Sequence, residues 1–212
     1  MKICILGATG TLGRAVTRKL LDGTTADLVL SSRHAKETLL PTERITVIDG
    51  DATVLEDAEK VVEGADMVFC AISGAELPAA VQTVVEAMKR TGANRLVVTC
   101  AVGIYDEIPE EMDGKDNVSR NQDQVPNREA ADIAEQSGLD YTILRPGYLR
   151  DGDEDDFVLS FKGEPARGYI TTLSSVATLI AQIAKDPRLY SRASVSITKD
   201  FSSDSKRPIP CT

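Results

Sequence analysis

Lys2-Ile3-Cys4-Ile5-Leu6-Gly7-Ala8-Thr9-Gly10-Thr11-Leu12-Gly13 is the stretch on which the fold turns. A short apolar run runs straight into three glycines spaced three apart, and Ala15, Val16, Lys19 and Leu20 then recur at helical spacing. The reading is strand, glycine turn, helix. One glycine permits the tight turn, one lets the backbone approach phosphates, and one lets the helix pack close on the sheet. A turn of this kind sets backbone N–H groups and a helix N-terminus where a pyrophosphate can sit.

Outward from the turn, the same alternation continues. Strands are predicted over residues 27–32, 44–49, 66–71, 95–100 and 140–144, and helices over 54–63, 77–90 and 125–136. Leu28-Val29-Leu30, Met67-Val68-Phe69 and Leu96-Val97-Val98 are continuously apolar rather than alternating, as a sheet covered on both faces requires. The expected fold class is therefore α/β, a doubly wound, mainly parallel sheet in a single domain. Further on, the pattern gives a strand at 157–161, a short strand at 169–171, an amphipathic helix at 174–185 and an alternating strand at 193–198. The domain is expected to span residues 1–200 with a small C-terminal extension on the substrate side. Residues 201–212, polar and carrying Pro208 and Pro210, are expected to form a loosely held tail.

Composition narrows the function. The 212 residues suit one domain, and 42% hydrophobic against 27% charged residues is enough to bury a sizeable core. A formal net charge of −9 has the wrong sign for neutralising phosphates along a duplex, so nucleic acid is not an expected partner. The apolar runs are far shorter than the ~20 residues of a membrane span, and no signal-peptide layout is read at the start; a cytoplasmic location is expected. Cys4, Cys70, Cys100 and Cys211 form no Cys-x-x-Cys pair, and the first three fall in apolar runs. They read as buried reduced thiols, and no metal site is expected.

After Val102 the periodicity stops for residues 103–124, a loop long enough to be functional or mobile. Residues 106–116 hold six acids and one base, and residues 151–156 hold five acids and no base, so these two stretches carry −10 and the rest of the chain +1. They read either as solvated loops or as an acidic rim that disfavours polyanionic substrates.

NAD-selective sites place an acid at the end of the second strand, where it bonds the adenosine ribose. Here that place reads Ser31-Ser32-Arg33-His34, with no carboxylate. Arg33 either pairs with the 2′-phosphate of NADP through its guanidinium fork or is an ordinary surface arginine. NADP(H) is the preferred expectation, with NAD(H) still open, and His34 reads as part of the adenine-end surface.

The glycine start, Gly50-Asp51 after the third strand, and the stretch from Ser137 through Arg145-Pro146-Gly147 resemble the atypical short-chain dehydrogenase/reductase superfamily. The similarity runs from Lys2 to about Thr198. It is greatest to the NAD(P)H-binding, NmrA-like and flavin-reductase-like branch, also described as NAD-dependent epimerase/dehydratase. The resemblance implies a Rossmann-type fold with the cofactor across the carboxyl ends of the strands. It implies that Gly7, Thr9, Gly10, Thr11, Leu12 and Gly13 hold the pyrophosphate, Arg33 the adenosine phosphate, and Asp51 with Ala52 the adenine. Ala71, Ile72 and Ser73 would line the ribose and nicotinamide side, with Thr99, Cys100 and Pro146 nearer the nicotinamide.

Many members of that superfamily use Tyr-x-x-x-Lys, in which the lysine tunes the phenol for proton exchange with a carbonyl oxygen. This chain lacks it: Tyr105 is followed four positions on by Pro109, and Tyr141 by Arg145. The expected activity is instead hydride transfer from NADPH to a small planar acceptor of the flavin or quinone class, which needs little from protein acids. Tyr105 and Tyr148 are expected to flank the mouth, with Tyr105 the one weak catalytic candidate. Two alternatives stay open: an NADP(H)-binding redox sensor without turnover, working through a regulatory protein partner, and a sugar-nucleotide epimerase/dehydratase-like enzyme. The expected partner is a small-molecule substrate, and a homo-oligomer is also open.

Overall fold

A computed structural model describes residues 1–201, so the tail predicted at 201–212 lies, apart from Phe201, outside the described residues. The chain runs β1 (Lys2–Leu6), α1 (Thr11–Gly23), β2 (Asp27–Ser32), α2 (Ala35–Thr38), β3 (Ile45–Asp49), α3 (Leu55–Val62), β4 (Met67–Cys70), α4 (Leu77–Thr91) and β5 (Arg95–Thr99). After the long loop come α5 (Val125–Gln136), β6 (Asp140–Pro146), β7 (Tyr148–Arg150), β8 (Val158–Phe161), β9 (Ile170–Thr172), α6 (Leu173–Lys185) and β10 (Ala193–Thr198).

Eight strands form one sheet in the order β3-β2-β1-β4-β5-β6-β10-β8, parallel except for β8, which runs antiparallel against β10. The order reverses at β1, which lies between β2 and β4, and doubly wound sheets bind ligands at that crevice. The continuously apolar runs are explained by the two cores. Val68, Cys70, Leu96 and Val98 face one layer with α3, α4 and α5, while Ile3, Ile5, Met67, Phe69 and Val97 face α1 and α6 on the other side.

The local signals act where the sequence puts them. Pro78 opens α4, and the Thr172 hydroxyl caps α6 by accepting from Ser175 N–H at 3.1 Å. Three features differ from the expectation. A short α2 follows β2, β7 pairs with β9 in a separate two-stranded ribbon, and the loop after β5 contains 3₁₀ turns at Glu110–Met112 and Gln122–Gln124. All are elements of one turn or three residues, too short for a periodic pattern to register.

Candidate functional site

Leu6 pairs with Ser31 on one side and Cys70 on the other, so the chain leaves the sheet at Gly7 between two strand ends. Gly7 takes φ +80°, and the Gly7 and Ala8 N–H groups both donate to Ser31 O, at 2.9 and 3.0 Å. A Cβ on Gly13 would lie 2.3 Å from Gly7 O, so the first turn of α1 presses directly on the glycine turn. Gly10 stands at the N-cap without any side-chain cap, which leaves the first helical N–H groups for an anion.

The turn forms one wall of a cavity of about 400 Å³, within the ~300–1,000 Å³ of small-molecule sites. Gly7, Thr9 and Gly10 face Ser31, Ser32, Arg33 and His34 from the end of β2. Gly50, Asp51, Ala52 and Thr53 after β3 and Ala71, Ile72, Ser73 and Glu76 after β4 close it. Thr11 is exposed at the first helical position, whereas Leu12 and Gly13 are buried beneath the turn. The Ser31 and Ser32 hydroxyls line the cavity and have no hydrogen-bond partner among the described residues, and Ser31 is buried. Two unpaired hydroxyls on a cavity wall suit a ligand with its own polar groups.

Charge on these walls is arranged around Arg33. The Asp51 carboxylate accepts from Thr53 N–H at 2.9 Å and from its hydroxyl at 2.7 Å. These bonds, helped by Arg33, hold it below the usual carboxylate range. From the opposite wall, Glu76 accepts from Arg33 Nη1 at 3.4 Å. His34 Nδ1 lies 3.5 Å from Glu37 at the rim.

A second cavity of about 150 Å³ opens beyond β5 and β6, lined by Ala101, Val102, Asp116, Gln124, Pro146, Tyr148 and Tyr169. Tyr148 and Tyr169 meet edge to face, with centroids 5.0 Å apart at 70°. The Tyr169 hydroxyl and Asp116 Oδ2 are shielded from solvent and have no hydrogen-bond partner among the described residues. The loop after β5 and the segment after Pro146 thus meet here.

Three sequence expectations are corrected at this end of the site. Tyr105 lines neither cavity: its hydroxyl donates to Glu135 at 2.9 Å, and its ring lies under Arg128, Arg145 and Lys162 at 5.0, 5.2 and 4.4 Å. The cause is the turn at Gly103, which sends the chain toward α5, and burial raises the phenol well above its ordinary range. Thr99 and Cys100 also line neither cavity, because β5 is held between β4 and β6 and Cys100 joins the core beside Cys70. Burial likewise raises the Cys100 thiol, which removes it as a nucleophile. Nor is the first acidic stretch simply solvated, since Glu107 is buried in an ion pair with Arg145.

A family model described as NAD(P)H-binding matches residues 7–187. The chain belongs to this family. The family's match begins at Gly7, the residue that starts the glycine turn after β1, and takes in β2, β3 and β4, whose ends form the other walls of the larger cavity. No curated relative matches the sequence. Among solved structures, a Rossmann-fold NAD(P)-binding family protein from Shigella flexneri is 29% identical with a TM-score of 0.80, over 100% of this chain and 98% of that one. A short-chain dehydrogenase/reductase from Veillonella parvula in complex with NADP is 26% identical with a TM-score of 0.84, over 93% and 94%. ChuY from Escherichia coli, described as an anaerobillin reductase, is 20% identical over the full length of both chains, with a TM-score of 0.78, and this likeness concerns the fold.

Of the residues that line the larger cavity, sequence reasoning did not name Ser31, Ser32, Gly50, Thr53 or Glu76 as site residues. The serines were legible as neighbours of Arg33. Glu76 was not, since only the crossover from β4 to α4 brings it opposite Arg33, 43 residues away.

Proposed function

We propose that this chain binds NADP(H) in preference to NAD(H) in the larger cavity and passes hydride to a small planar acceptor at the smaller one. The observation that carries the reading is Arg33 on the cavity wall at the end of β2, where an NAD-selective site has an acid. Bound nicotinamide cofactor supplies the hydride. The residues of this chain bind and orient it. The uncapped start of α1 and the Gly7, Thr9 and Gly10 backbone receive the pyrophosphate, with Thr11, Leu12 and Gly13 setting the helix behind it. Arg33 pairs with the 2′-phosphate, and Asp51 and Ala52 flank the adenine. Ala71, Ile72 and Ser73 lead toward Pro146 and the tyrosine pair, where the acceptor's ring packs.

The relatives support this reading at two removes: one holds NADP, and one of the same fold is described as a reductase. The missing Tyr-x-x-x-Lys and the displaced Tyr105 argue against carbonyl or epimerase chemistry by a tuned phenol. An acceptor whose reduced form takes its proton from water needs no such group.

The test is an NADPH oxidation screen over flavins, quinones and small aldehydes, together with titration of both cofactors. Reduction of flavins or quinones but not aldehydes is expected. Arg33→Ala should weaken NADP(H) by about 1.5–3 kcal/mol and leave NAD(H) unchanged. Tight NADP(H) binding with no consumption across every acceptor class would instead favour the redox sensor.

A further inference from the structure

We propose that Glu76 sets the balance between NADP(H) and NAD(H) by competing with the 2′-phosphate for Arg33. The inference rests on the cofactor reading above and assigns a role to a carboxylate that neither the glycine motif nor the adenosine-end residues account for.

Arg33 follows β2, and Glu76 is the N-cap residue of α4 on the facing wall of the cavity. Arg33 Nη1 donates to Glu76 Oε2 at 3.4 Å, with the side chains 64% and 65% exposed. Among the described residues, neither side chain has another hydrogen bond. The other nearby carboxylate, Asp51, is already engaged by Thr53 through its Oδ1. Glu76 is therefore the group that engages the guanidinium when no phosphate is present.

A phosphate is bound best by the planar fork of an arginine, through two parallel N–H donors. Arg33 has to leave Glu76, or share its donors, to offer that fork. An exposed pair of this type is weak, corresponding to about a two- to fivefold change in an equilibrium constant. It cannot block the phosphate, but it subtracts from phosphate affinity. A nucleotide without the 2′-phosphate leaves the pair intact and pays nothing. Glu76 thus acts on one cofactor and not on the other.

The experiment measures calorimetric binding of 2′,5′-ADP, 5′-AMP, NADP⁺ and NAD⁺ at one low salt concentration. The proteins are the wild type, Glu76→Gln, Arg33→Ala and the double variant. All substitutions are at exposed positions, and thermal melting checks that each variant is folded. Glu76→Gln should tighten 2′,5′-ADP and NADP⁺ about two- to fivefold, leave 5′-AMP and NAD⁺ unchanged, and give no gain in the Arg33→Ala background.

Equal effects on phosphorylated and unphosphorylated nucleotides would overturn the proposal, as would no gain at all. A gain that survives removal of Arg33 would also overturn it, because Glu76 would then act by direct repulsion. The two readings fail separately. If Arg33→Ala leaves 2′,5′-ADP binding untouched, the NADP(H) reading falls and takes the competition with it. If Arg33→Ala weakens binding while Glu76→Gln strengthens nothing, only the competition falls.

Discussion

At Gly13 a methyl group has nowhere to go, since its carbon would stand 2.3 Å from Gly7 O and 2.8 Å from Ala8 Cα, both backbone atoms. Gly13→Ala should push α1 off the turn, abolish nucleotide binding and lower the melting temperature, all measurable in one titration and one thermal scan. Tyr105 carries a different expectation from the one its position in the sequence invites. Its hydroxyl bonds Glu135 rather than facing a cavity, so Tyr105→Phe should cost about 1 kcal/mol of stability and leave turnover within about twofold. Tyr148 is the contrasting case, exposed on the second cavity and packed against Tyr169. Tyr148→Ala should raise the KM for a planar acceptor more than it lowers kcat. If Tyr105→Phe were the more damaging of the two, the acceptor would have to approach from the α5 side.

The loop between β5 and α5 is held by contacts that no local pattern announces. Gly103, at φ +97°, packs so closely on Asp116 O that a Cβ would come within 2.3 Å. Asn117 accepts from Ile108 N–H and donates to its carbonyl, which closes the loop on itself. The anchor is Glu107, buried against the wholly buried Arg145 of β6, whose guanidinium also donates to Ser160 O. Glu107→Ala would leave a buried guanidinium without its counter-charge and should cost about 3–5 kcal/mol by denaturant unfolding. Glu107→Gln, which keeps a hydrogen-bond acceptor, should cost less. The limits of sequence reading follow from the same contacts. The glycine turn, the parallel strands and the cavity-lining residues after β2 and β3 are local signals, because strand ends in a doubly wound sheet converge by topology alone. Glu107 reads as one more acid in an acidic loop because its partner is 38 residues away, and Tyr105 is redirected by a turn whose geometry depends on Asp116.

Taken as a single cooperative unit, the molecule should lose stability at both ends of the pH range, for opposite reasons. Asp51, Asp106, Glu110 and Asp155 are all held below their ordinary values. The main causes are hydrogen bonds from the Thr53 N–H, the Ser119 N–H, the Arg120 guanidinium and the Ser174 hydroxyl, respectively. A depressed folded value contributes stability that is present above the ordinary carboxylate range and is lost as pH falls through the folded values. The acid limb should therefore begin near pH 4 and deepen below it. The thiols work the other way. Burial pushes Cys4 up to about 12 and Cys70 up to about 11 from an ordinary 9.0, and raises Cys100 as well. The unfolded chain releases these protons first, so the contribution is whole below pH 9 and shrinks as pH rises toward the folded values. The three thiols, joined above pH 10 by the buried Tyr105 phenol, should make stability fall steeply along the alkaline limb. Cys70→Ala should flatten that limb in a pH series of urea melts, by the share of one of its titrating groups, and leave the acid limb where it was. An alkaline limb unchanged by that substitution would show that the thiolates are not what unfolds the protein at high pH.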